Sequence, residues 1–295
     1  RMSNEQAAAL NKLEKQQLGN GAWPWFEGMP ENRYITQHIV TGLLQLQQLN
    51  VLEHSELPKI NTMITKAMVY LDDQILKDYN ELIKRKAVLE EHVPSTIQIQ
   101  YLYLRSFSPL KLINNAAEKE HRFFIEQAAK NWLKYNEYLQ GMISLALNNS
   151  IKKDVAIDII NSLKDNAIRS DELGMYWKNN NGGYYWTDAA IETQAMLIEA
   201  FLEVSNDEGS VYEMKIWLLR KKQVNNWKTT KATVAACYAL MLRGTNWIEE
   251  NNVQRISLGT KVIQTDDNTL DREAGTGHFS IAWSGNEIDA SMGEI

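Results

Sequence analysis

The chain has one cysteine in 295 residues and no block of lysine and arginine. It also has no apolar run of the roughly 20 residues that a bilayer-crossing helix needs. Each shortage removes a class of protein. A single thiol, Cys237, forms no internal disulfide, and its neighbours Ala235, Ala236, Tyr238 and Ala239 belong to a packed helix, so it reads as a small buried hydrophobe. The net charge of −6 is mild and mixed along the chain, with no basic stripe interleaved with aromatics, which argues against a nucleic-acid partner. The five histidines, His38, His54, His92, His121 and His278, are scattered without HxxxH or HxxE spacing, so no metal or other cofactor is expected. There is no GxSxG elbow, no phosphate-cradling GxxxxGK[ST] and no GxGxxG. Asp72-Asp73 and Asp266-Asp267 look superficially like acidic motifs that bind Mg-diphosphate, but both read better as solvated charge. Arg1 to Glu5 leads directly into an amphipathic pattern, with neither a signal peptide nor an anchor in view.

What is present is helix. Hydrophobic residues make up 44% of the chain, enough for a substantial core. Ile60, Met63, Ile64, Ala67, Met68, Leu71 and Ile75 recur at i, i+3, i+4 and i+7, the one-sided stripe of a surface helix. By contrast, residues 230 to 243 carry almost no polar face, as expected of a helix enclosed by others. This test gives an alternation of outer and inner helices: 3–18 and 34–49, 59–87 and 95–106, 117–135 and 138–148, 151–168 and 187–204, 210–222 and 230–243. The period-two spacing of Ile97, Ile99, Tyr101 and Tyr103 suits a strand equally well, and only the helical surroundings favour a helix there. Five hairpins with an inner and an outer row predict an all-α fold, an α/α toroid, with a sixth hairpin missing upstream. That domain spans 1–245. Past Gly244, residues 246–295 form a β-rich tail of short strands and glycine turns.

A repeated phrase punctuates the helices. Gly19-Asn20-Gly21 leads to Trp23 and Trp25, Asn181-Gly182-Gly183 leads to Tyr184, Tyr185 and Trp186, and Asn225-Asn226 leads to Trp227. These aromatics are either wedges filling the gaps between hairpins or a stacking platform for a sugar or apolar ligand. As wedges, Trp186 or Trp227 cut back to alanine should cost about 3 to 5 kcal/mol. Asp188 and Glu192 lie four residues apart at a helix start, hence on one face, beside the aromatics. They are either a helix cap and its electrostatic complement or the paired carboxylates of a glycosidase.

Several strings resemble a known family. Ala22 to Gly28 with Arg33-Tyr34-Ile35-Thr36-Gln37 are similar to the thioester-domain region of bacterial α2-macroglobulin-like proteins. So are Gly174-Met175-Tyr176-Trp177, Ile191-Glu192-Thr193-Gln194, Ile216 to Leu219 and Trp227 to Thr233. The resemblance covers residues 1 to about 245. It implies an α/α toroid, a non-enzymatic part in a broad-spectrum protease trap, and an extracytoplasmic location. The implied partners are other domains of the parent chain and, indirectly, target proteases; no nucleic acid or membrane contact is implied. The family's thioester string, Cys-x-Glu-Gln, is absent, and the resemblance puts that segment upstream of residue 1. Two other readings stay open: an α/α-barrel enzyme on glycans or isoprenoids using Asp188 and Glu192, and a peptide- or glycan-binding module using the aromatic rim.

Overall fold

A computed structural model describes residues 2–107, 117–178, 189–224, 227 and 229–243, and in the tail 255–258, 261–264, 271–272, 279–281, 283–285, 288 and 290–293. The chain divides into two compact units, Arg1–Leu240 and Met241–Ile295. Among the described residues the protein is mostly helical. The helices are α1 (Met2–Gln16), α2 (Arg33–Gln48), α3 (Leu57–Lys84), α4 (Thr96–Ser106), α5 (Glu118–Asn131), α6 (Glu137–Asn148), α7 (Lys153–Asp165), α8 (Ala190–Ala200), α9 (Glu208–Val224) and α10 (Thr230–Met241). Tyr184, Tyr185, Trp186, Asp188 and Gly244 lie outside the described residues.

Local signals explain where the helices begin. Asn32 caps α2 by accepting from the Ile35 amide, and Asn136 caps α6 by accepting from Leu139. The ambiguous segment after Pro94 is helical because Ser95 and Gln98 close a reciprocal capping box, the Gln98 side chain accepting from the Ser95 amide at 2.9 Å. Helix α8 runs on into a π-turn, Phe201–Ser205, ended by Asn206 in the left-handed conformation at φ 51°.

The burial pattern separates two kinds of helix. On α3 the buried residues include the whole predicted stripe from Ile60 to Ile75. Helices α4 and α8 are buried continuously, Gln98 to Arg105 and Glu192 to Ala200, and α6 nearly so. Helix α6 packs against α4, α5, α7 and α8, and α4 also meets α2. Helix α10 joins this row through Tyr238, whose hydroxyl contacts Gln48 of α2 at 2.8 Å and Glu199 of α8 at 3.1 Å.

Three expectations need correction. Helices α2 and α10 are not enclosed on all sides: α2 buries only the stripe Thr36, Gln37, Val40, Leu43 and Leu44, and α10 leaves Val234 57% exposed. Cys237 lies on that same open face of α10 and is exposed, because a run of small apolar residues does not by itself supply neighbours. Asp72 is not solvated. It is fully buried, accepts a 2.7 Å hydrogen bond from Tyr101, and faces the buried Arg105 at 3.7 Å; Asp73 pairs with Lys77 on the surface.

Between α7 and α8 lies an antiparallel hairpin, β1 (Ile168–Ser170) with β2 (Gly174–Tyr176), too short for a period-two pattern to reveal. It completes a joint that occurs twice. The Trp23 indole N–H donates to the Leu13 carbonyl of α1 at 2.8 Å, and the Trp177 indole to the Leu163 carbonyl of α7 at 2.9 Å. Ahead of them stand Gly21 at φ 88° and Gly174 at φ 75°. A Cβ on Gly21 would fall 2.2 Å from the Lys66 carbonyl oxygen of α3, and one on Gly174 2.2 Å from that of Glu213 in α9. Each glycine turn is thus clamped between one amphipathic helix and the next but one.

The second unit contains short antiparallel strands, β3 (Arg255–Leu258) with β4 (Lys261–Gln264) and β5 (Asp271–Arg272) with β6 (Phe279–Ser280).

Candidate functional site: a cavity walled by five helices

Five helices of the first unit contribute to one cavity of about 330 Å³. Helix α2 supplies His38, Thr41 and Gln45; α4 supplies Gln100 and Tyr103; α6 supplies Tyr138 and Met142. The remaining wall comes from Glu192, Met196 and Glu199 of α8 and from Lys231, Val234 and Tyr238 of α10. A second cavity of about 430 Å³ is lined by residues near or just past the ends of α2, α4, α6 and α8, among them Gln48, Phe107, Asn148 and Glu203. Those four helices therefore run in one direction, from the first cavity toward the second.

Glu199 belongs to the walls of both cavities. The Tyr103 hydroxyl donates to its Oε2 at 2.6 Å, and its Oε1 lies 3.1 Å from the Tyr238 hydroxyl, which donates to Gln48 Oε1 at 2.8 Å. A hydroxyl carries one proton, so Tyr238 cannot donate to both acceptors. Protonated Glu199 resolves the count, its own O–H donating to Tyr238. Burial pushes the Glu199 carboxyl up to about 8, against the opposing pull of the Tyr103 and Tyr238 hydroxyls. Glu199 is thus a neutral acid at pH 7. Gln45, donating to Tyr103 at 3.4 Å, extends the same row into a hydrogen-bonded septum between the cavities.

The charged groups lie on the other side of the first cavity. Glu192, largely buried in the first turn of α8, raises Tyr34 after the larger effect of burial. Burial lowers Lys231, and the nearby charge of Glu192 pulls it back up. His38 is open to solvent within the concave mouth, where crowding by protein atoms and then the charge of Lys231 hold it below the usual imidazole value. From this mouth a row of rings leads outward. Tyr34 stacks on His38 with centroids 6.2 Å apart, and Trp25 stacks on Tyr34 at 6.1 Å. Trp25 is 51% exposed, and Phe26 and Met29 beside it in sequence are also exposed.

The sequence-derived candidates therefore separate. Trp23 is buried with its indole N–H bonded, so its surface is occupied by the protein itself. Trp25 presents a ring to solvent and Glu192 lines the cavity. Trp227 is half-buried under Lys222, whose ammonium is 5.3 Å from its ring, and its indole nitrogen has no partner among the described residues. Missed were His38, Lys231, Glu199 and the three tyrosines. Glu199 alone left a trace, as a single carboxylate inside Met196-Leu197-Ile198-Glu199-Ala200-Phe201. Among the described residues no group of three or more His, Cys, Asp or Glu could hold a metal ion, and no helix is long and apolar enough to cross a membrane.

No protein-family model matches the chain, and no curated protein matches it in sequence.

Proposed function

We propose that this chain is a non-enzymatic α/α-toroid module of a bacterial α2-macroglobulin-like protease trap, acting through contacts with other domains of its parent protein in an extracytoplasmic compartment. One observation carries the reading: the strings that resemble this family are the ones that hold helices together. Trp23 and Thr36 tie the first turn to α2, the Trp23 amide donating to Thr36 Oγ1 at 2.9 Å. Gln37 donates across to the Ile97 carbonyl and to Gln100 of α4. Gln194 donates to the Met175 and Met214 carbonyls, joining α8 to β2 and α9. Residues spent on bonding backbone to backbone are scaffold rather than catalytic equipment. The contribution of α2, α4, α6, α8 and α10 to the wall of one cavity supports a ring of helices.

A protease challenge of the parent protein tests this. A trapped protease keeps its activity on a small chromogenic peptide and loses it on casein, whereas an uninhibited protease cleaves both. Equal cleavage of casein with and without the protein would defeat the proposal.

A second reading, an α/α-barrel enzyme acting on glycans or isoprenoids, draws on the presence of Glu192 in the cavity wall. Asp188, its partner in that reading, lies outside the described residues. Release of reducing ends from a glycan, or of diphosphate from an isoprenoid diphosphate, abolished by Glu192→Gln, would favour it over the trap.

A further inference from the structure

The row of Gln48, Tyr238, Glu199 and Tyr103 can be bonded in two directions, and one proton decides between them. Tyr103 gives its hydroxyl proton to Glu199 Oε2 at 2.6 Å while its oxygen accepts from Gln45. Tyr238 stands between two acceptors, Gln48 Oε1 of α2 at 2.8 Å and Glu199 Oε1 of α8 at 3.1 Å. Its single proton satisfies one of them. With Glu199 protonated, the carboxyl O–H donates to Tyr238, and Tyr238 donates onward to Gln48. Without that proton, Glu199 is a carboxylate only 3% exposed, and Tyr238 is the donor within reach of Oε1 among the described residues. A buried charge holds a donor more strongly than a neutral amide does. Gln48 is exposed, so water replaces the lost hydroxyl there at little cost.

The surroundings set when this happens. The titratable groups facing Glu199 are Tyr103 of α4, Tyr138 of α6, Tyr238 of α10 and Glu203 of the π-turn. Helix α2 brings the neutral amides of Gln45 and Gln48, and the buried Lys215 of α9 reaches instead to the Leu240 carbonyl of α10. His38, Glu192 and Lys231 stand about two turns earlier on their helices, along the first cavity. Burial, with the charge of Glu203 added, brings the loss of the proton to about pH 8.

We propose that the proton on Glu199 is a latch on the seam between α2 and α10: while it is present Tyr238 ties the two helices together, and its loss turns the Tyr238 hydroxyl to Glu199 and releases the seam. The latch follows from hydrogen-bond geometry and does not depend on the protease-trap reading.

Hydrogen exchange of the intact chain, read by mass spectrometry at about pH 6.5 and about pH 9.5 and corrected for the intrinsic pH dependence of amide exchange, tests the latch. Exchange in α2 and α10 should rise about fivefold while α5 and α7 keep their protection. In Glu199→Gln the side-chain carbonyl accepts from Tyr103 and the amide donates to Tyr238 at every pH, so the rise should vanish. Tyr238→Phe should already exchange quickly in α2 and α10 at the lower pH and gain nothing at the higher. No rise in the parent chain, a rise shared equally by α5 and α7, or one that persists in Glu199→Gln or in Tyr238→Phe would each overturn the proposal.

Discussion

A carboxyl group in the middle of an apolar helix must find a cation or keep its proton, and Glu199 keeps its proton. Its value in the folded chain is raised from 4.5 to about 8. Below the unfolded value both states are protonated, and the stabilisation from this group is fully present. As pH rises, the unfolded chain loses its proton first, so stability falls until the folded group titrates near 8. Glu199→Gln removes that slope: between about pH 5 and about pH 8 its melting temperature should fall less than that of the parent chain. Identical slopes for the two proteins would show that Glu199 is not held neutral. Gly21 and Gly174 make a second prediction at this scale. Alanine at either position combines an unfavourable positive φ with a Cβ only 2.2 Å from a carbonyl oxygen, so each variant should lose about 2 kcal/mol or more in chemical denaturation. Gly19→Ala, where a Cβ meets nothing within 4 Å, is the matched control and should be nearly silent.

At the scale of elements, the helices were legible because their signals are local. The stripe on α3 needed only the 3.6-residue period, and the start of α4 needed only Ser95 and Gln98. Replacing Ser95 with alanine should therefore cost about 1 kcal/mol, measurable in urea, and no change in midpoint would mean that Pro94 and tertiary packing set this boundary unaided. What the sequence did not disclose was which apolar helices have neighbours on every side. Ala232 to Leu242 is as hydrophobic as α8, yet Val234 and Cys237 are exposed, since enclosure depends on elements remote in sequence. The candidate site was hidden for the same reason. Glu192 could be picked out by its place in a helix start, whereas Lys231, His38 and Tyr103 meet it only through the packing of five helices. Of the tryptophans picked out in sequence, Trp23 is buried in a joint and Trp25 is exposed, and the second described instance of that joint is Trp177, carried by a hairpin too short to show a period.

At the scale of the first unit, Tyr238 makes a long-range connection, bringing α10 to α2 across 190 residues of sequence and also to α8. Removing its hydroxyl leaves the ring in place and takes away the link. In Tyr238→Phe, amide exchange should quicken in α2 and α10 while α5 and α7 stay as protected as before. Uniform quickening would mean that the bond contributes to global stability and not to that one seam. The row of Tyr103, Glu199 and Tyr238 also makes one carboxyl group the meeting point of α4, α8 and α10, so a change at that single side chain is felt by three helices at once.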